Sequence, residues 1–71
     1  MDDFLDFAAE VLGVPRADLS PETAYGSLPA WDSVMHLRLV METEARYGRP
    51  IPMEVVPRLL RLADFEPYLN T

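Results

Sequence analysis

Ser33 and His36 stand three positions apart in the run Trp31-Asp32-Ser33-Val34-Met35-His36, with a carboxylate, Asp32, directly before the hydroxyl. On a helix, positions i and i+3 share a face, so the pair has the residue types of a nucleophile and its base. A working serine nucleophile also needs an orienting acid, an oxyanion site and a pocket for its substrate. The chain has no G-x-S-x-G elbow, and its 71 residues leave little room for a pocket. His36 therefore reads as a partly exposed surface residue, and no residue is assigned a catalytic role. Glu42 and Glu44 are two apart, a spacing at which helical side chains do not face each other. They read as a solvated face rather than an acid–base pair. With no cysteine and one histidine, neither a disulfide nor an ordinary Cys- or His-ligated metal site is expected.

Ser33 has two readings that local chemistry leaves open. Asp32 and Ser33 are both good N-cap residues, so the pair can simply start a helix. A helix N-terminus also offers unpaired N–H groups and positive dipole character. A phosphodiester on Ser33 would be favoured there by some tenths of a kcal/mol to about 1. In the second reading Ser33 anchors a phosphate-linked arm and attacks no substrate.

The elements that must position this serine are helical. Phe4, Phe7, Ala8, Val11 and Leu12 form one stripe, which predicts a helix from Asp2 to Leu12 capped by Asp2 or Asp3 and ended by Gly13 and Pro15. Residues 14–31 hold three of the seven prolines and little periodicity. This long loop is expected to pack down through Leu19, Tyr25 and Leu28, with a helical turn at Ser20-Pro21-Glu22-Thr23. A second helix runs from Asp32 or Ser33 to about Tyr47, ended by Gly48. Its apolar residues cover two faces, Val40, Thr43 and Tyr47 with Leu39 on one and Val34, Leu37 and Met41 on the other. So wide an arc is buried on two sides or presents apolar surface to a partner. Pro57 limits a third element to one or two turns around Glu54 to Leu60, and Pro67 makes the last, with Leu62, Phe65 and Leu69, short or distorted. The expectation is an all-α fold, a small antiparallel four-helix bundle with a long first loop and a short third helix, in one domain spanning residues 1–71. Whether helix two runs parallel or antiparallel to helix one is open.

The formal net charge is −6, from twelve acids against six cations, all arginine. That excess argues against nucleic acid and anionic membrane surfaces as partners, and favours partners with basic surfaces. No apolar run approaches the roughly 20 residues that span a bilayer. The acidic N-terminus does not resemble a secretory signal, so a cytoplasmic location is expected.

The order of these elements resembles the acyl carrier protein family over nearly the whole chain. The pieces that carry the resemblance are Leu12-Gly13-Val14, the run Asp18-Leu19-Ser20-Pro21-Glu22-Thr23, and Trp31-Asp32-Ser33-Val34. They continue with Glu44-Ala45-Arg46-Tyr47-Gly48, Ile51-Pro52 and a closing Tyr68-Leu69. The resemblance implies a four-helix bundle of the acyl-carrier type in which Ser33, beside the motif residue Asp32, carries 4′-phosphopantetheine delivered from coenzyme A by a phosphopantetheinyl transferase. The arm's thiol holds acyl or aminoacyl groups as thioesters, and a chain without cysteine can do thioester chemistry only with a borrowed thiol. The carrier itself would catalyse nothing. Its other partners would be acyltransferases, ligases or synthases, met as a monomer, and Val34, Met35, Arg38, Met41 and Glu42 are the positions matching the family's docking surface. Arg38 and Ala45 depart from the more acidic helix of typical members, which implies a greater share of apolar contact and a dedicated partner. The Trp31-Asp32-Ser33 form and the Arg-, Ala- and Pro-rich composition resemble free-standing carriers of polyketide or nonribosomal peptide pathways. An unmodified acidic helical adaptor is the alternative from another class.

Overall fold

The computed structural model describes residues 1–69; residues 70 and 71, the end of the expected domain, lie outside them. Two α-helices, α1 (Asp2–Leu12) and α2 (Ser33–Tyr47), are joined by the long loop, which contains a 3₁₀ turn at Arg16–Asp18. Two further 3₁₀ segments follow, Met53–Arg58 and Leu62–Tyr68. No β-strand forms among the described residues, although Ala24 and Arg61 make one isolated antiparallel bridge. The fold is all-α in class, and both α-helices span the residues that the sequence indicates.

The cap of α1 is not the expected Asp2 or Asp3. Met1 is its cap residue, with the Leu5 N–H donating to the Met1 carbonyl at 3.0 Å, and no side chain caps it. Asp2 and Asp3 lie inside the first turn, where their charge still complements the helix dipole. Asp2 and Asp6 instead meet Arg16 at 3.7 and 3.0 Å, tying the Arg16–Asp18 turn to the helix. The buried face is Phe4, Leu5, Ala8, Ala9 and Leu12, rotated from the expected stripe. Phe7 and Val11 flank it half-buried, and the Arg46 guanidinium lies 5.0 Å over the Phe7 ring. Gly13 ends the helix at φ 72°, a left-handed conformation that suits glycine, and its N–H donates to the Ala9 carbonyl.

α2 resolves its wide apolar arc into two faces. Leu39, Val40 and Thr43 enter the core, with the Thr43 hydroxyl donating to the Leu39 carbonyl at 2.6 Å. Val34, Leu37 and Met41 point outward. Gly48, at φ 71°, ends the helix, and the Glu44 carboxylate accepts from the Ile51 N–H at 2.7 Å. Glu44 is thus half-buried in the turn after the helix rather than part of a solvated face.

The last two elements are 3₁₀ throughout, not α. Proline removes the donor of an i→i−4 bond and its ring strikes the carbonyl one turn back. Pro57 and Pro67 sit inside these segments and leave the tighter turn. Side chains three apart then eclipse. Val56, Leu59, Leu62 and Phe65 are all buried on that spacing of three, even across the non-helical link at residues 59–61.

The long loop is held against this C-terminal stretch by backbone. Tyr25 N–H donates to the Leu60 carbonyl at 2.7 Å, Leu62 N–H to Thr23 at 3.1 Å and Ala63 N–H to Pro21 at 2.8 Å. Ser20–Thr23 closes as one turn, with the Ser20 hydroxyl accepting from Glu22 N–H and the Thr23 hydroxyl accepting from Ser20 N–H. Arg61 bridges the two stretches, reaching Glu22 at 2.7 Å and Asp64 at 3.3 Å. The second Asp64 oxygen accepts from the Leu60 and Arg61 N–H groups, both at 3.0 Å. These backbone bonds, led by that of Arg61, hold the Asp64 carboxyl below its ordinary 3.8.

A carboxyl lowered in the fold stabilises it above the unfolded value, and that contribution is lost as pH falls through the folded value. Asp64→Ala should cost about 1–2 kcal/mol at neutral pH, measured by urea unfolding. The gap to wild type should persist at pH 5 and close below 3.8. A gap that does not narrow in acid would contradict this account of the loop.

Candidate functional site

Asp32 and Ser33 divide the helix start between them. Asp32 is the N-cap, with extended backbone and its Oδ1 accepting from the Met35 N–H at 2.9 Å. Ser33 is the first helical residue and is exposed. Asp32's carbonyl takes the His36 N–H at 2.8 Å, the first bond of the helix. Helix geometry leaves the Ser33 and Val34 amides without intrahelical acceptors. The hydroxyl therefore stands in solvent beside two free N–H groups, with the capping already done by its neighbour.

His36 is not a surface residue. It is 8% exposed, and both ring nitrogens are engaged. The Trp31 Nε1–H donates to His36 Nδ1 at 3.0 Å. An indole nitrogen can only donate, so Nδ1 must be the unprotonated acceptor and Nε2 must carry the hydrogen. Nε2–H then donates to the Val56 carbonyl at 2.8 Å. Trp31 is fully buried, and Tyr25 sets its ring edge-on to both Trp31 and His36, with centroids 5.8 and 5.1 Å apart. Phe65 closes the far side of the imidazole at 6.3 Å. Neither nitrogen is free to accept a proton from Ser33 in this arrangement. The sequence carried the signal: His36, Leu39, Val40 and Thr43 fall at i, i+3, i+4 and i+7, so His36 completes the buried stripe of α2.

Ser33 lines one depression, and a second begins at its neighbour Val34. One of about 340 Å³ lies between the start of α2 and the Met53–Arg58 segment, lined by Ser33, His36 and Tyr25 and by Leu37, Val56, Pro57, Leu59 and Leu60. Apolar side chains dominate it, and Leu60, a residue that sequence reasoning left unassigned, is exposed at its rim. The other, shallower, follows the outward face of α2 along Val34, Leu37, Arg38, Met41, Glu42 and Ala45. Four of the five expected docking residues line it. Val34 and Met41 are 72% and 66% exposed, and Arg38 pairs with Glu42 at 3.6 Å one turn on. Met35 is the exception, half-buried and packed against the core. Its place one turn before Leu39 turns it inward. Leu37 borders both depressions.

Among the described residues no group of three or more His, Cys, Asp or Glu could hold a metal ion, and no helix is long and apolar enough to cross a membrane. In comparisons with known proteins, no family model matches this chain and no curated protein sequence matches it.

Trp31→Phe keeps a large ring but removes the indole N–H, leaving His36 Nδ1 buried without a donor. An unsatisfied buried acceptor costs about 1–3 kcal/mol. Urea unfolding should register that loss, a large share of the few kcal/mol typical of so small a domain. An unchanged midpoint would mean that the bond contributes nothing.

Proposed function

We propose that this chain is a carrier of the acyl carrier protein type, in which Ser33 anchors 4′-phosphopantetheine. The observation that carries the reading is the exposed Ser33 hydroxyl at the first position of α2, with capping done by Asp32. A serine used as a cap would have its oxygen occupied by a backbone amide, and here Asp32 Oδ1 fills that role.

The residues present fit the group. The Ser33 and Val34 amides and the positive end of the α2 dipole favour a phosphodiester on Ser33. The helix presents that oxygen to solvent, where a modifying enzyme can reach it. The apolar depression bordered by Tyr25, Leu37, Leu59 and Leu60 lies beside the anchor and offers shelter from water. The bound group supplies a thiol that holds acyl or aminoacyl units as thioesters, a chemistry absent from a chain without cysteine. His36 has no free ring nitrogen in this arrangement, which favours a non-catalytic role for the serine.

The outward face of α2 is the docking surface in this reading. Val34, Leu37 and Met41 offer apolar contact, and Arg38 and Glu42 a paired charge of each sign. A transferase and the acyltransferase, ligase or synthase enzymes of a polyketide or nonribosomal peptide pathway would meet this face. Their selectivity would rest on apolar fit more than on acidic attraction.

Incubation of the folded protein with coenzyme A, Mg²⁺ and a broad-specificity phosphopantetheinyl transferase should add one phosphopantetheine mass, and Ser33→Ala should add none. Absence of the mass shift from folded wild type rejects the carrier and favours an unmodified acidic adaptor. Met41→Glu, at an exposed position, should leave the unfolding midpoint unchanged and lower kcat/KM for modification about tenfold, the loss of about 1.4 kcal/mol expected of an interface contact. An unaltered kcat/KM removes this stretch of α2 from the docking surface.

A further inference from the structure

The chain has one histidine and one tryptophan, and the two are hydrogen-bonded to each other in the core. We propose that this pair makes the start of α2 a pH-gated element: the clamp from Trp31 through His36 to the Val56 carbonyl holds while the imidazole is neutral and releases when it takes up a proton.

The argument is one of donors and acceptors. The clamp uses Nδ1 as an acceptor and Nε2–H as a donor. An imidazolium has two donors and no acceptor. Protonation at Nδ1 would bring an N–H against the Trp31 Nε1–H at the present 3.0 Å. The bond would be lost, and a cation would be left in a buried site facing another donor. The bond to Val56 can survive that change, whereas the bond to Trp31 cannot.

Among the described residues the surroundings offer the cation no counterion. The groups facing His36 are the Tyr25 ring, the Trp31 indole, the Val56 carbonyl and the Phe65 ring. Of these only Tyr25 bears an ionisable group. On the elements packed around it, Glu54, Arg58 and Glu66 are exposed, Asp64 is engaged with Arg61, and Asp32 holds the Met35 amide. None bonds to the imidazole. Relief requires that the indole, the imidazole or both move toward water.

Movement there reaches Ser33 directly. Trp31 and His36 bracket the serine in sequence, and the His36 N–H makes the first bond of α2. Tyr25 rests on both rings and borders the apolar depression beside Ser33. Release of the clamp therefore loosens the first turn of α2 and one wall of that depression together. The gate belongs to the helix start and does not depend on what Ser33 carries.

Trp31 is the only indole of the chain, and its contact with the imidazole makes it the reporter of the clamp. As the unmodified protein is titrated from neutral pH into acid, tryptophan emission should move to longer wavelength in one sigmoidal step while far-UV circular dichroism keeps its helical signal. His36→Gln should show no step. In ¹⁵N-labelled wild type, His36 should be the Nε2–H tautomer at high pH, and the Trp31 indole N–H should lose its protection from exchange as the ring protonates. This second measurement stands even if the variant fails to fold. Flat emission in wild type, the same step in His36→Gln, or an indole N–H still protected when the imidazolium has formed would each overturn the gate.

Discussion

The hydrogen bond between Trp31 and His36 is the interaction on which the arrangement around Ser33 depends. It takes the last residue but one of a long loop and the first buried residue of α2 and makes them one unit. Through Nε2 the same ring reaches a backbone carbonyl twenty residues on, in a segment too short and too proline-interrupted to build a normal helix. A buried polar group is costly unless satisfied. Here that cost is offset by bonds on both sides of the imidazole, and their directions fix how the loop, α2 and the Met53–Arg58 segment meet. An apolar residue at position 36 could fill the space but could not specify that geometry.

The consequence for the serine is a hydroxyl held at a fixed place and left exposed. The neighbours on either side are committed to structure, Asp32 to the cap and Trp31 to the core. Three residues on, His36 is committed as well. What remains free at this point is one oxygen, two helix-start amides and an apolar recess. In the proposed reading, that set bears a group. The two faces of α2 follow the same division: the inner face joins the core, and the outer keeps Val34, Leu37 and Met41 in solvent.

Much of this was legible in the residues. Gly13 and Gly48 marked helix ends because left-handed backbone favours glycine, and both adopt it. Asp32 and Ser33 marked a helix start because short polar side chains satisfy free amides. His36 was misread because polarity was weighed before position, although its spacing from Leu39, Val40 and Thr43 placed it on the inner face. Met35 is expected outward from the family resemblance, but its rotation around the helix turns it in. The rotated face of α1 and the backbone stitching of residues 21–25 to 60–63 depend on contacts distant in sequence, which no local pattern encodes. The 3₁₀ character of the last two elements was half visible: the prolines announced distortion, but not which tighter winding would replace the α-helix.

That winding constrains length more than chemistry. Val56, Leu59, Leu62 and Phe65 reach the core on a spacing of three, which the two 3₁₀ segments set at each end and the non-helical link at residues 59–61 carries across. Exchange among apolar side chains at these positions changes volume and leaves direction intact. Loss or gain of a single residue between Val56 and Phe65 would turn every later side chain away from the core and pull Leu60 and Leu62 out of register with Tyr25 and Thr23. The C-terminal third of this chain should therefore drift in residue type while holding its residue count. Insertions would be absorbed instead in parts of the long loop that face solvent, such as the turn at Gly26 and Ser27.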